Sequence, residues 1–163
     1  MIIGAILLTA MAVVGRGSMM SYGDLSTSFR AMESRLVERS TTDLAVTDAT
    51  VDATGQFVSV TLLNDGATRV GSFEELDVIV SYFTFPGGQS NVWLPYDASG
   101  LTDNTWSLVS ILNDDHEPGI LNPGESAELV LNLNPTVAIG PSNSLVISTE
   151  IGATTAASFS RAI

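Results

Sequence analysis

Few residues in this chain could do chemistry, and most of them sit in one loop. The only histidine, His116, lies in Asn113-Asp114-Asp115-His116-Glu117-Pro118-Gly119. A Ser-His-Asp triad would need it as general base, yet no G-x-S-x-G stretch sets a serine on a strand-to-helix elbow. Among turn-forming polar residues, His116 reads as a surface loop side chain. Asp114, Asp115 and Glu117 are the candidates for a hard cation such as Ca²⁺. They lack the D-x-D-x-D-G spacing that turns successive oxygens toward one ion, so they read as a solvated acidic loop before they read as a metal site. The chain has no Cys, hence no disulfide, thiolate ligand or Cys nucleophile. No N-x-S/T sequon occurs. Trp93 and Trp106, in strand-like segments, are expected in a core or as interface anchors. Phe83 and Phe85 flank a turn and are the expected exposed aromatics. No catalytic residue, cofactor or enzymatic activity is expected.

The elements that would position these residues emerge from charge and hydropathy together. The 163 residues carry 18 Asp and Glu against 6 Arg and no Lys, for a net charge of −12. Mean hydropathy is nevertheless +0.31. Splitting the chain after Asp43 reconciles the two. Residues 1–43 hold four acids and four Arg, and residues 44–163 hold 14 acids and two Arg, a net of 2 − 14 = −12. Such an acidic domain is repelled by nucleic-acid phosphate, which excludes nucleic-acid binding.

Residues 1–15 hold no charge and nine large apolar side chains. Nothing basic precedes Ile2 and no A-x-A cleavage site follows, unlike a secretory signal. Fifteen helical residues span only about 22 Å, short of a membrane crossing. A third arrangement fits better. Ile3, Leu7, Met11, Val14, Ser18, Tyr22, Leu25, Phe29, Met32 and Leu36 recur at alternating spacings of three and four, and the stripe passes Arg16 in phase. The pattern predicts one helix from about residue 2 to about residue 40. Arg30–Glu33 and Arg35–Glu38 stand at i,i+3 for surface pairing. Left in water, the nine apolar side chains would forfeit about 13–27 kcal/mol. The rod must therefore enter a membrane or assemble. Arg16 reads as a snorkelling or solvent-facing side chain, or as an ion-pair partner for Asp24 of a neighbouring rod. Gly15, Gly17 and Gly23 around it predict a kink or a thin, close-packed stretch.

From Leu44 the period changes to two. LAVTDATVDA, QFVSVTLL, FEELDVIVSYFTF, NVWLPY, TWSLVSIL, SAELVLNL, SLVISTE and TAASFSRA read as eight strands, with turns at Thr54-Gly55, Asn64-Asp65-Gly66 and Pro86-Gly87-Gly88. The expected fold is α+β: a long hydrophobic N-terminal helix over residues 1–43, then an immunoglobulin-like antiparallel β-sandwich over residues 44–163.

A long apolar helix joined without a linker to a β-sandwich is the plan of type IV pilin-like subunits. Three segments resemble archaellins (archaeal flagellins) and their accessory proteins. They are RSTTDLAVTDATVDATGQFVSVTLLNDGATRV, WSLVSILNDDHEPGILNPGESAELVLNLNP and LVISTEIGATTAASF, where Thr149-Glu150-Ile151-Gly152 stands in place of the family's T-x-N-G turn. Family members are made with a basic leader that a prepilin-type peptidase removes; the resemblance implies that a chain opening on the predicted helix corresponds to the processed form, with Met1 internal to the precursor. The resemblance implies a helical homopolymer in an extracellular motility filament, with rods bundled inside and sandwiches outside. It also implies a separate membrane motor or platform, and membrane residence of the subunit only before assembly. Two alternatives stand beside it: an accessory protein that binds the envelope, and an adhesive pilus subunit.

Overall fold

A computed structural model describes residues 27–37, 39–114 and 116–162. Residues 27–37 and 39–41 are helical, inside the span that the apolar stripe predicts; the earlier part of that span lies outside the described residues. Among the described residues no helix is long and apolar enough to cross a membrane. The chain divides between Val37 and Glu38 into two units.

The second unit is built of eight strands: β1 (Leu44–Val51), β2 (Phe57–Asn64), β3 (Asp77–Phe83), β4 (Gln89–Leu94), β5 (Thr105–Leu112), β6 (Ser126–Asn132), β7 (Ser142–Ser148) and β8 (Thr154–Ser160). They form two four-stranded antiparallel sheets, β1-β2-β6-β5 and β4-β3-β7-β8. This is the immunoglobulin order, with the first, second, sixth and fifth strands in one layer. Alternation explains which side chains meet between the layers. Val58, Val60 and Leu62 of β2, Leu129 and Leu131 of β6, Val78, Val80 and Tyr82 of β3, and Leu145 and Ile147 of β7 are all buried. The described core begins at Leu44 and lies wholly within Glu38–Ile163, so this unit carries its own core, the property expected of an independently folding domain.

Both outer strands of the first sheet carry a bulge, at Val46/Asp48 in β1 and at Leu108/Ser110 in β5. Both are also covered. β1 lies alongside β8. The start of β5 is stitched to the chain leaving β4, where Trp106 donates its amide to the Pro95 carbonyl at 3.0 Å and Asp97 donates to Trp106 at 2.8 Å. Tyr96 packs on the buried Trp106 ring, centroids 4.8 Å apart.

The structure corrects three details. Residues 73–85 do not make one long strand, because Phe73–Glu75 is a 3₁₀ turn ahead of β3. Phe73 and Leu76 are both buried, and a spacing of three reaches one side only if the chain coils. NVWLPY ends at Leu94, since Pro95 has no N–H for the ladder and Tyr96 crosses to the other layer. Trp93 is not a core residue. Val92 and Leu94 take the inward positions of β4, and Trp93 is left 55% exposed.

Candidate assembly surfaces

One end of the sandwich receives the helical residues 39–41, and two turns build it around a buried asparagine. Only Thr42 and Asp43 separate the last helical residue from β1. Asn64, fully buried at the end of β2, donates its side-chain amide to the Thr68 carbonyl at 2.8 Å and to the Leu121 carbonyl at 3.0 Å. Its side-chain oxygen accepts from the Gly66 N–H at 3.1 Å. A buried amide with both N–H donors and its oxygen engaged fixes the loops that it touches.

The turn that follows then closes on the helix end. Ala67 donates its N–H to the Thr41 carbonyl at 2.7 Å and Asp65 donates to the Asp43 carbonyl at 3.0 Å. A carbonyl that helix geometry leaves without a partner is thereby satisfied by the sandwich. Gly66 makes the approach possible. A Cβ there would stand 2.4 Å from the Asp43 nitrogen and 2.6 Å from the Thr41 oxygen.

The second turn is Asn122-Pro123-Gly124-Glu125. Gly124 has φ +85°, and Glu125 donates its N–H to the Asn122 carbonyl at 3.0 Å, a type II arrangement with Pro at its second place. It grips the first turn directly, since Gly124 donates to the Asn64 carbonyl at 2.8 Å and Asn64 donates to the Glu125 carbonyl at 3.0 Å.

Beside these turns lies a cleft of about 480 Å³, lined by Thr42, Thr68, Val70, Leu76, Ile120 and Ile151 among others. Arg69 and Glu117 cross its rim in an ion pair at 2.8 Å, both side chains more than half exposed. Exposed pairs of this kind contribute at most about 1 kcal/mol.

In the acidic loop, each described candidate carboxylate has a partner within the protein. Glu117 is engaged by Arg69, and Asp114 accepts the Gly119 N–H at 2.9 Å. Asp115 lies outside the described residues. Among the described residues no group of three or more His, Asp or Glu is placed to hold a metal. His116 is exposed, and its carbonyl accepts from the Asn122 side chain at 2.6 Å. Elsewhere, carboxylates are served by donors of their own loops. At Asp97 the Ser99 hydroxyl and then the Ser99 N–H hold the carboxyl below its ordinary value of 3.8, outweighing the upward push of desolvation. At Asp52 desolvation acts upward most strongly, but donors from Thr54, Phe57 and Gly55 together pull the carboxyl below 3.8.

Of the stripe residues, Phe29, Met32 and Leu36 fall on described helix and are 63%, 60% and 57% exposed. Ile3, Leu7, Met11, Val14, Arg16, Ser18, Tyr22 and Leu25 lie outside the described residues.

A further surface is absent from the sequence reading. On the outer face of the second sheet the register sets Trp93 opposite Ile79, Ile79 opposite Val146, and Val146 opposite Ala156. One apolar row thus crosses all four strands. A row of small polar side chains, Asn91, Ser81, Ser144 and Ser158, runs beside it. Phe83 continues the outward side of β3, and Phe85 follows in the hairpin; they are 41% and 70% exposed, as their place beside a turn predicts. The four strands contain a single charged residue, Asp77, whose carboxylate accepts the Trp93 indole N–H at 2.9 Å. Trp93 alone carried a signal in the sequence. The row itself depends on register, which no single strand reveals.

No family model and no curated protein matches this chain. Solved structures do. The complex of the archaellum periplasmic stator proteins FlaF and FlaG from Sulfolobus acidocaldarius is similar at TM-score 0.54 and 20% identity, over 72% of this chain and 88% of that chain. The FlaG stator protein of the same organism gives the same score and identity over 72% of this chain and 99% of its own. The archaeal flagellum of Methanospirillum hungatei strain JF1 is similar at TM-score 0.52 and 16% identity, over 98% of this chain and 92% of that chain. The chain has the fold of archaellum proteins.

Proposed function

We propose that this chain is a structural subunit of an archaellum-type filament on the cell surface. Its N-terminal rods bundle into the filament core and its acidic sandwiches form the outer layer. The observation that carries this reading is the extent of the likeness to the Methanospirillum hungatei flagellum, 98% of this chain, against 72% for the stator proteins. Phe29, Met32 and Leu36 support it, since a helical stripe left more than half exposed needs neighbours to cover it. In this reading the subunit does no chemistry and torque comes from a separate membrane motor. Contacts between rods are heterologous and non-closing, which is how a single chain type makes a polymer.

A second reading is a stator-type accessory protein that uses its sandwich to bind other envelope components. It is favoured by the coverage of the FlaG match, which takes in 99% of that chain and 72% of this one.

Electron microscopy of the purified full chain tests the choice. Filaments with a helical core are expected from the native sequence. Met11→Asp and Phe29→Glu should abolish them while the sandwich keeps its unfolding temperature. Normal filaments from both variants would refute the rod-packing account. A native chain that stays monomeric and binds isolated envelope would establish the accessory reading instead.

A further inference from the structure

The charge of the sandwich limits where a second copy can touch it. From Leu44 onward there are 14 acids and two Arg. Two such bodies repel at any meeting of their loops, because strands hold only three of the acids: Asp48, Asp77 and Glu128. Two of these three lie on one face. Asp48 and Glu128 flank Thr61 in one cross-strand row of the first sheet, so two copies meeting there would oppose carboxylates. The second sheet carries no charge in its middle. Its only acid, Asp77, stands at the end of β3 and already accepts the Trp93 N–H.

We infer that the outer face of the β4-β3-β7-β8 sheet is a pairing surface for the same face of a second copy. Three properties of the face fit that occupant. The row Trp93–Ile79–Val146–Ala156 is apolar from edge to edge, so a row laid on its own copy is apolar against apolar. The Ser81–Ser144–Ser158 row beside it is small and uncharged, which lets two sheets approach to the usual spacing of about 10 Å. Trp93 is exposed yet pinned through its indole N–H, so ordering it on contact costs little.

The area sets the strength. Four strands about 4.8 Å apart and six residues at about 3.3 Å give a face of roughly 400 Å². That is about half of what each partner contributes to a standard stable interface, near 800 Å². A pair of sandwiches therefore associates weakly, and the contact becomes strong only when many copies are held side by side. Related by a two-fold axis, it closes after two copies. It is separate from any open-ended packing of rods and does not rest on the filament reading.

The test uses residues 38–163, which hold a complete core, in sedimentation equilibrium at up to about 1 mM protein. Reversible dimerisation is expected, at least several-fold tighter at about 1 M than at about 0.1 M NaCl, because salt shortens the reach of the repulsion from about 10 Å to about 3 Å. Trp93→Glu and Ile79→Glu should each raise the dissociation constant tenfold or more. Val109→Glu, on the exposed bulge of β5, should leave it within twofold. In the full chain, which has no cysteine of its own, Ser144→Cys should cross-link into a dimer with a short bismaleimide, whose span suits facing sheets too far apart for a disulfide, and Ser107→Cys on the other sheet should not. A monomer at all concentrations in high salt would overturn the proposal, as would dimerisation lost to Val109→Glu and kept by Trp93→Glu, or equal cross-linking at both cysteine positions.

Discussion

Gly66→Ala tests how the sandwich holds the end of the helix. Gly66 is not required for a left-handed backbone; it is required because the Asn64–Ala67 turn lies almost against residues 41–43. The added Cβ would meet two backbone atoms, at 2.4 Å and 2.6 Å, and backbone cannot swing aside as a side-chain end can. Reaching an ordinary contact near 3.4 Å takes about 1 Å of displacement. That is enough to break the bonds from Ala67 to Thr41 and from Asp65 to Asp43, which are 2.7 and 3.0 Å long. Each lost bond costs about 1 kcal/mol and the unsatisfied Thr41 carbonyl about 1 kcal/mol more. Replacing glycine recovers up to about 1 kcal/mol by restricting the unfolded chain. The net loss is about 2 kcal/mol, or roughly 6–10 °C in Tm for a unit of this size. Gly71→Ala is the matched control. Its Cβ would meet Ile120 at 3.6 Å, an ordinary contact, and Tm should move by no more than about 2 °C. Thermal unfolding followed by circular dichroism reads the shift, and hydrogen exchange at Asp65 and Ala67 reads its cause. An unchanged Tm for Gly66→Ala, with both amides still protected, would refute the close-approach argument.

Three further outcomes are expected. Because the Asp52 carboxyl is held below 3.8 in the folded chain, its contribution is complete above that pH and is lost as pH falls through the folded value; Asp52→Asn should flatten the decline in stability between about pH 5 and about pH 2 in acid titrations monitored by urea unfolding. Leu129→Ala, in the middle of β6 and 1% exposed, should cost about 2–5 kcal/mol in the same assay. Arg69→Ala should cost less than about 1 kcal/mol, and the difference from the native chain should shrink in high salt, because the Arg69–Glu117 pair is exposed.

The strands were legible because each one buries a single face, and alternation in segments such as FVSVTLL states which. The turns were legible where glycine answers a backbone need, as at Gly124 with its positive φ. Two kinds of feature were not. The Phe73–Leu76 coil looks like strand because it runs without a turn signal into the alternating DVIVSYF, and only the shared burial of Phe73 and Leu76 shows a spacing of three. Features that exist between segments were also hidden. Gly66 matters through atoms of residues 41–43, and the Trp93–Ile79–Val146–Ala156 row exists only once four strands are in register. The apolar stripe is a local pattern, so Phe29, Met32 and Leu36 can be set on one helix face from spacing alone; the assembly role given to them is a proposal.

A chain proposed to polymerise through its rods faces a hazard at its other end. Copies crowded side by side at high local concentration are also crowded strand beside strand, and an unguarded strand recruits its neighbour into cross-β. The bulges at Val46/Asp48 and Leu108/Ser110, the cover of β8 on β1, and the Pro95–Trp106 stitch remove those templates. The same devices that finish the sandwich thereby keep assembly reversible at its surface, so that the order in which copies join can be decided by the rods and not by the first edge that finds another.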